Sequence, residues 1–217
     1  MPIAVAILPV TPFQQNCALI FDQATKRGVI IDPGGDVETI QEAIRQTDVT
    51  VERILLTHGH IDHAGGAAEL QEALGGAARV PIEGPHRADA PLLDGLAEQG
   101  AKYGLQSRPV TPDRWLEEGE TVDIADWPFQ VLHCPGHAPG HVVFVNTELG
   151  FAIVGDVLFR GSIGRTDFPY GDHAALITAI RTKLFPLGDG MKFICGHGPG
   201  GTFGEERETN PFVGEDA

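Results

Sequence analysis

Apolar runs a few residues long, broken by glycine, proline and acidic residues, repeat along the whole chain. Residues 3–8, 16–21 and 28–31 are such runs and read as strands, the last two joined by the polar turn 22–27. Asp32-Pro33-Gly34-Gly35 closes this meander, and Asp36 is expected to cap a helix to about residue 46, with Ile40 and Ile44 on one face. Residues 51–56 form a further apolar run. Residues 64–74 are rich in Ala, Leu, Glu and Gln, with Ala67, Leu70 and Leu74 at helical spacing. A short strand is expected at 79–82. Residues 84–106 are polar and helix-prone, with Leu92, Leu93 and Leu96 as the apolar side, and suit either a scaffold or a flap over a site. After a connecting stretch at 109–120 come strands at 121–125, 127–132, 142–145 and 151–155. Asp172 is expected to cap a helix with Leu176, Ile177, Ile180 and Leu184 inward; a strand at 192–195 and a short charged helix within 202–211 complete the chain. Periodicity alone predicts a mixed α/β (α+β) chain, one domain over 1–217, whose strand-then-helix order repeats in two halves dividing near Asp126.

The densest chemistry lies between the 51–56 strand and the 64–74 helix. There Thr57-His58-Gly59-His60-Ile61-Asp62-His63 places three histidines and an aspartate at H-x-H-x-D-H spacing. His58 and His60 can turn toward one point if the loop bends at Gly59, and Asp62 and His63 can aim at a neighbouring one. Imidazoles with a carboxylate suit zinc, and also iron or manganese. Four donors fill one site poorly or two sites partly, and further donors exist. His137 follows the strand at 127–132, Asp156 ends the strand at 151–155, and His197 follows the strand at 192–195, each flanked by glycine. Strand ends are rigid supports from which such side chains converge. His86 reads as a surface residue, His133 as a weaker rival of His137, and His141 as a core or supporting histidine.

Charge narrows the function. The chain carries a net charge of −15 with His neutral, which opposes binding to nucleic acid. Its three cysteines, Cys17, Cys134 and Cys195, form no C-x-x-C pair, so neither a disulfide framework nor a thiolate metal site is indicated, and a reduced cytoplasmic setting fits. The N-terminus lacks a signal-like run, and no apolar stretch approaches the ~20 residues of a membrane span.

Thr-His-Gly-His-Ile-Asp-His at 57–63, Pro-Gly-His at 135–137, Gly-Asp at 155–156 and Gly-His-Gly at 196–198 together resemble the metallo-β-lactamase-fold superfamily in order and spacing, over nearly the whole chain. The resemblance implies a four-layer αββα sandwich with two divalent metal ions at one edge between the sheets, zinc first, with iron or manganese as alternatives. His58, His60 and His137 would hold one metal, Asp62, His63 and His197 the second, and Asp156 would bridge both and hold the metal-bound hydroxide. Asp32, beneath the metal loop, would orient a ligand histidine.

The loop Gly161-Ser162-Ile163-Gly164-Arg165-Thr166-Asp167-Phe168 resembles two groups acting on glutathione conjugates. One is glyoxalase II, a di-metal thioesterase cleaving S-lactoylglutathione. The other is the persulfide dioxygenases, with one iron on two histidines and an aspartate, here His58, His137 and Asp156. The ending, Gly196-His197-Gly198-Pro199 with Glu205 to Phe212, is similar to short single-domain glyoxalase II-like proteins, which implies no C-terminal glutathione-binding helical domain. Arg165 matches the family's basic loop residue. The aromatic expected two positions later is Asp167, and Phe168 is the adjacent substitute. The reading is a thioester hydrolase acting on a small glutathione conjugate, with Arg165 and Phe168 contacting substrate; the dioxygenase and a lactonase-type hydrolase are the alternatives.

Overall fold

A computed structural model describes residues 3–75, 79–215 and 217. Strands β1 (Ile3–Val10), β2 (Gln15–Asp22) and β3 (Arg27–Ile31) form an antiparallel meander. Helix α1 (Val37–Thr47) then crosses over to β4 (Thr50–Leu55), parallel to β3. Helices α2 (Ile61–Ala64) and α3 (Ala67–Ala73) lead to β5 (Ile82–Glu83), parallel to β4. These strands make one five-stranded sheet in the order β1-β2-β3-β4-β5. Helices α4 (Ala90–Asp94) and α5 (Leu96–Tyr103) follow. The chain then enters a second sheet with β6 (Thr121–Ile124), β7 (Trp127–His133), β8 (Val142–Asn146) and β9 (Phe151–Ile153). A two-stranded ribbon, β10 (Leu158–Phe159) and β11 (Ser162–Ile163), precedes α6 (His173–Ala179) and its π-helical extension Ile180–Leu184. Finally β12 (Lys192–Ile194) and β13 (Gly201–Thr202) join the second sheet, ordered β13-β12-β9-β8-β7-β6, and α7 (Phe203–Thr209) covers it. Among the described residues no helix is long and apolar enough to cross a membrane.

Side chains along a strand alternate between faces, so a strand buried on both must be apolar throughout. In β2, Ala18 and Ile20 enter the layer between the sheets, whereas Cys17, Leu19 and Phe21 pack under the helices. In β8, Val142 and Phe144 face the other sheet, and Val143 and Val145 pack with Leu176, Ile180 and Leu184. The central layer also takes Ile31 and Leu55 from the first sheet and Phe129, Val131 and Ile153 from the second. The result is the four-layer αββα sandwich of the metallo-β-lactamase fold.

Several elements differ from their sequence-based expectation. Asp36 does not cap α1: its backbone is left-handed, with φ of 49°, and its carboxylate instead accepts the Thr11 N–H at 2.7 Å. The helix expected over 64–74 begins earlier, at Ile61, and breaks at Gly65-Gly66. There the Gly66 N–H donates to the Pro33 carbonyl at 2.9 Å, and a Cβ on Gly66 would run into that carbonyl. Asp62 and His63 sit on this first short helix. The strand expected at 79–82 is Ile82–Glu83, where the backbone first pairs with Ile54 and Leu55. The division of the halves falls between Glu83 and Thr121, because Ala125 and Asp126, with φ of 52° and 66°, form the two-residue hairpin turn joining β6 to β7. The 84–106 segment is scaffold: Leu93 and Leu96 lie in the core beneath the first sheet.

Candidate metal centre

Five of the seven candidate donors lie just beyond the C-terminal end of a strand, and those ends meet at one edge of the sandwich. β4 delivers Thr57 through His60, β7 leads to His137, β9 to Asp156 and β12 to His197. Asp62 and His63 arrive on α2. Donor loops from each sheet are tied to the other: the Val142 N–H donates to the Thr57 carbonyl at 2.8 Å, and the Asn16 N–H donates to the Gly196 carbonyl beside His197 at 2.7 Å. Close approach demands glycine at two places. A Cβ on Gly196 would land on Asp156 Oδ1, and one on Gly155, whose φ is +49°, would lie 2.7 Å from Thr57 Oγ1.

The donors form two groups. In the first, His60 Nδ1 lies 3.0 Å from both His58 Nε2 and His137 Nε2. In the second, Asp62, His63 and His197 converge, with His197 Nε2 3.1 Å from Asp62 Oδ2. Asp156 stands between them: Oδ1 is 3.3 Å from His63 Nε2, and Oδ2 is 3.5 Å from His137 Nε2 and 3.6 Å from His197 Nε2.

The outer hydrogen bonds determine which nitrogens face inward. Thr57 donates its hydroxyl to Asp32 Oδ2 at 2.6 Å, so its oxygen accepts from His58 Nδ1 at 3.0 Å. His63 Nδ1 donates to Asp32 Oδ2 at 2.9 Å, and His137 Nδ1 to the Arg165 carbonyl at 2.9 Å. Each neutral ring therefore turns a bare Nε2 inward. Lone pairs about 3 Å apart repel unless a cation lies among them, and metal–nitrogen bonds of about 2.0–2.1 Å in a tetrahedron give a similar spacing. Among the described residues His63 Nε2 and Asp156 Oδ1 are buried without a hydrogen-bond partner, as suits atoms reserved for a metal. The residues fit the metal.

Electrostatics divides the two groups. Burial and the neighbouring rings hold His58 well below the usual imidazole range and pull His60 down to about 3; burial also lowers His137. These rings stay neutral and able to coordinate. Burial likewise opposes charge on His63, but Asp156, Asp62 and Asp32 outweigh it and raise that ring well above its ordinary value. Burial would raise Asp156, yet His63 and the other rings drive its carboxyl far below the carboxylate range. The second group thus demands positive charge, which a proton or a metal ion supplies. Burial pushes the Cys134 and Cys195 thiols up to about 12, so neither is a thiolate nucleophile.

Residues 10–197 match the metallo-beta-lactamase superfamily. The chain belongs to that superfamily. It is 46% identical over 211 residues to the hydroxyacylglutathione hydrolase GloC of Haemophilus influenzae, covering 96% of this chain and 97% of that one. The crystal structure of TTHA1623 in a di-iron-bound form superposes with a TM-score of 0.85 at 40% identity, covering 96% of this chain and 100% of the other. The BLEG-1 B3 metallo-beta-lactamase superposes at 0.87 with 33% identity, covering 97% and 99%. The protein is accordingly an enzyme of the metallo-hydrolase superfamily with a His/Asp metal-binding cluster.

The superfamily motifs do not mark everything that supports this centre. Asp32 lies against the metal loop, with Oδ1 also accepting the Thr57 N–H at 2.7 Å. His141 is buried: its Nε2 accepts the Asp156 N–H at 3.0 Å, and its ring stacks on His58. His133 points away, with Nε2 donating to the Pro139 carbonyl and its ring stacked on half-buried His86. Sequence reasoning missed Asn16, whose Nδ2 donates to the Cys195 and Gly198 carbonyls and braces the His197 loop. It also missed Tyr170, 2.8 Å from His60 Nε2, and Asp89, whose carboxylate accepts the Gly59 N–H at 2.8 Å and the Gly140 N–H at 2.5 Å. Asp89 clamps the bend between His58 and His60. Asp89→Asn aims an amide N–H at one of those donors. It is expected to cost about 1–3 kcal/mol and to lower the melting temperature by roughly 3–10 °C, measured by thermal denaturation of metal-loaded protein.

Proposed function

We propose that this enzyme hydrolyses a small thioester, S-lactoylglutathione or a related hydroxyacyl conjugate, using two zinc ions. The observation that carries the reading is the pair of donor groups meeting at Asp156. Identity to a hydroxyacylglutathione hydrolase along nearly the whole chain supports the substrate class. His58, His60 and His137 would hold the first ion and Asp62, His63 and His197 the second, with Asp156 placed between the two groups. Bound there, such a pair polarises a carbonyl oxygen and supplies hydroxide near neutral pH. The chain's own part is orientation: Asp32 and Thr57 keep the His63 and His58 nitrogens aimed inward, and Asp156 sets the spacing of the groups. Phe168, with its ring 5.0 Å from that of His60 and 5.7 Å from that of His137, stands beside the first donor group, where it would contact substrate.

A single iron on His58, His137 and Asp156, as a dioxygenase would use, leaves the convergent Asp62, His63 and His197 without a role. Two metals therefore fit better, and the di-iron form of TTHA1623 makes iron the alternative to zinc. The three free, buried cysteines suit a reducing cytoplasm, and the net charge of −15 suits small-molecule rather than nucleic-acid substrates. The test is elemental analysis of protein purified without added metal, paired with an S-lactoylglutathione assay. About two metal ions per chain with thiol release supports the reading. One iron per chain, no thiol release, and oxygen uptake with glutathione persulfide overturns it.

Arg165 is the proposed contact for a substrate carboxylate. In the free protein its guanidinium is bidentate on Asp167, at 2.7 and 2.9 Å, and lies 4.5 Å from the centre of the Phe168 ring. A substrate carboxylate must displace Asp167, an exposed and therefore weak competitor. Asp167→Ala is expected to lower KM for anionic thioesters by about two- to fivefold, with kcat unchanged and no gain for a neutral thioester, in steady-state assays.

A further inference from the structure

Each ring of the cluster facing inward through Nε2 has a buried or backbone partner on its other nitrogen where one is formed: Thr57 for His58, Asp32 for His63, the Arg165 carbonyl for His137. His60 is reversed. Its Nδ1 faces the first group, and its Nε2 points outward to the Tyr170 hydroxyl at 2.8 Å. Among the described residues Tyr170 is the sole hydrogen-bond partner of that nitrogen on the outer side. Tyr170 is also unlike the other partners in its place. It belongs to the loop after β11 that carries Arg165, it is 37% exposed, and its ring stacks on Phe168 at 5.3 Å. The substrate loop therefore reaches the first donor group twice, through the Arg165 carbonyl on His137 and through Tyr170 on His60.

We propose that Tyr170 is the positioning residue of His60: its phenolic oxygen accepts the Nε2 proton and holds the ring with a bare Nδ1 turned toward the first metal. The inference rests on the reading of His60 as a metal ligand. A half-exposed side chain on the substrate loop thus does for His60 what Asp32 does for His63. Because the bond spans the loop and the metal group, the position of the loop and the affinity of the first site are linked, and the linkage acts equally in both directions.

The test is Tyr170→Phe in the full chain, which removes one oxygen and keeps the stack on Phe168. Zinc and cobalt(II) are titrated against a competing chelator, with no substrate present. Outer partners of metal-bound histidines typically govern affinity by 10–100-fold, so one of the two ions is expected to bind about 10–100-fold more weakly while the other binds as in the wild type. Thioesterase activity lost at limiting metal is expected to return when metal is in excess, and the melting temperature of the metal-free protein to stay within about 2 °C, as for a half-exposed substitution. A titration indistinguishable from wild type overturns the proposal, whatever the activity. Failure of the thioesterase reading would appear separately, as wild-type protein that binds metal and releases no thiol.

Discussion

Replacing Asp156 by asparagine is expected to cut kcat/KM for a thioester by about a thousandfold or more and to leave fewer than two metal ions per chain. The size follows from what the carboxylate does. Asp156 is buried between the two donor groups, 3.3 Å from His63 and 3.5 Å from His137. It carries a full negative charge there, because the surrounding rings outweigh the cost of burial. Asparagine keeps the shape but removes the charge and turns an N–H₂ toward one of the rings. Losing several kcal/mol of charge stabilisation at a catalytic centre corresponds to about three powers of ten in rate. Elemental analysis and steady-state kinetics on one preparation decide the matter. A variant with two metals per chain and kcat/KM within tenfold of wild type would show that the groups do not depend on Asp156.

Asp32→Ala has the larger expected effect on stability. Asp32 is 3% exposed and accepts three hydrogen bonds, from the Thr57 N–H, the Thr57 hydroxyl and His63 Nδ1. Alanine leaves three buried donors unpaired, each costing about 1–3 kcal/mol. Partial relaxation brings the expected loss to about 3–5 kcal/mol, the severe end for a single substitution. His63 also loses the bond that aims its Nε2, so affinity at the second site is expected to fall by about 10–100-fold. Denaturant unfolding and chelator competition measure the two effects separately. Unchanged values in both would mean that Asp32 merely shapes a turn.

The donor set was legible because chemistry and local structure coincide in the sequence. His58, His60, Asp62 and His63 are nearly consecutive, and His137, Asp156 and His197 each follow an apolar strand beside glycine. Short apolar runs likewise marked strands, so β2 and β8 could be read before their partners were known. Supports that act across the fold were not legible. Asp89 holds backbone N–H groups 30 and 51 positions away, and nothing in its local pattern distinguishes it from other acidic loop residues. Tyr170 meets His60 across 110 positions. Asp36 looked like a helix cap because capping is a local preference, yet the distant Thr11 N–H took its carboxylate.

By itself the sequence determined which side chains can bind metal, which segments are strands, and that two halves of similar order follow one another. Those properties depend on residue type and short-range spacing, which survive in one dimension. Only the tertiary structure decided the distances that bring Asp156 within 3.6 Å of rings in both groups, which nitrogen each ring turns inward, and that Arg165 is already paired with Asp167. These depend on distances between atoms on different strands and loops, and on competition among hydrogen-bond partners brought together by packing. Such competition has no signature in the spacing of residues along the chain.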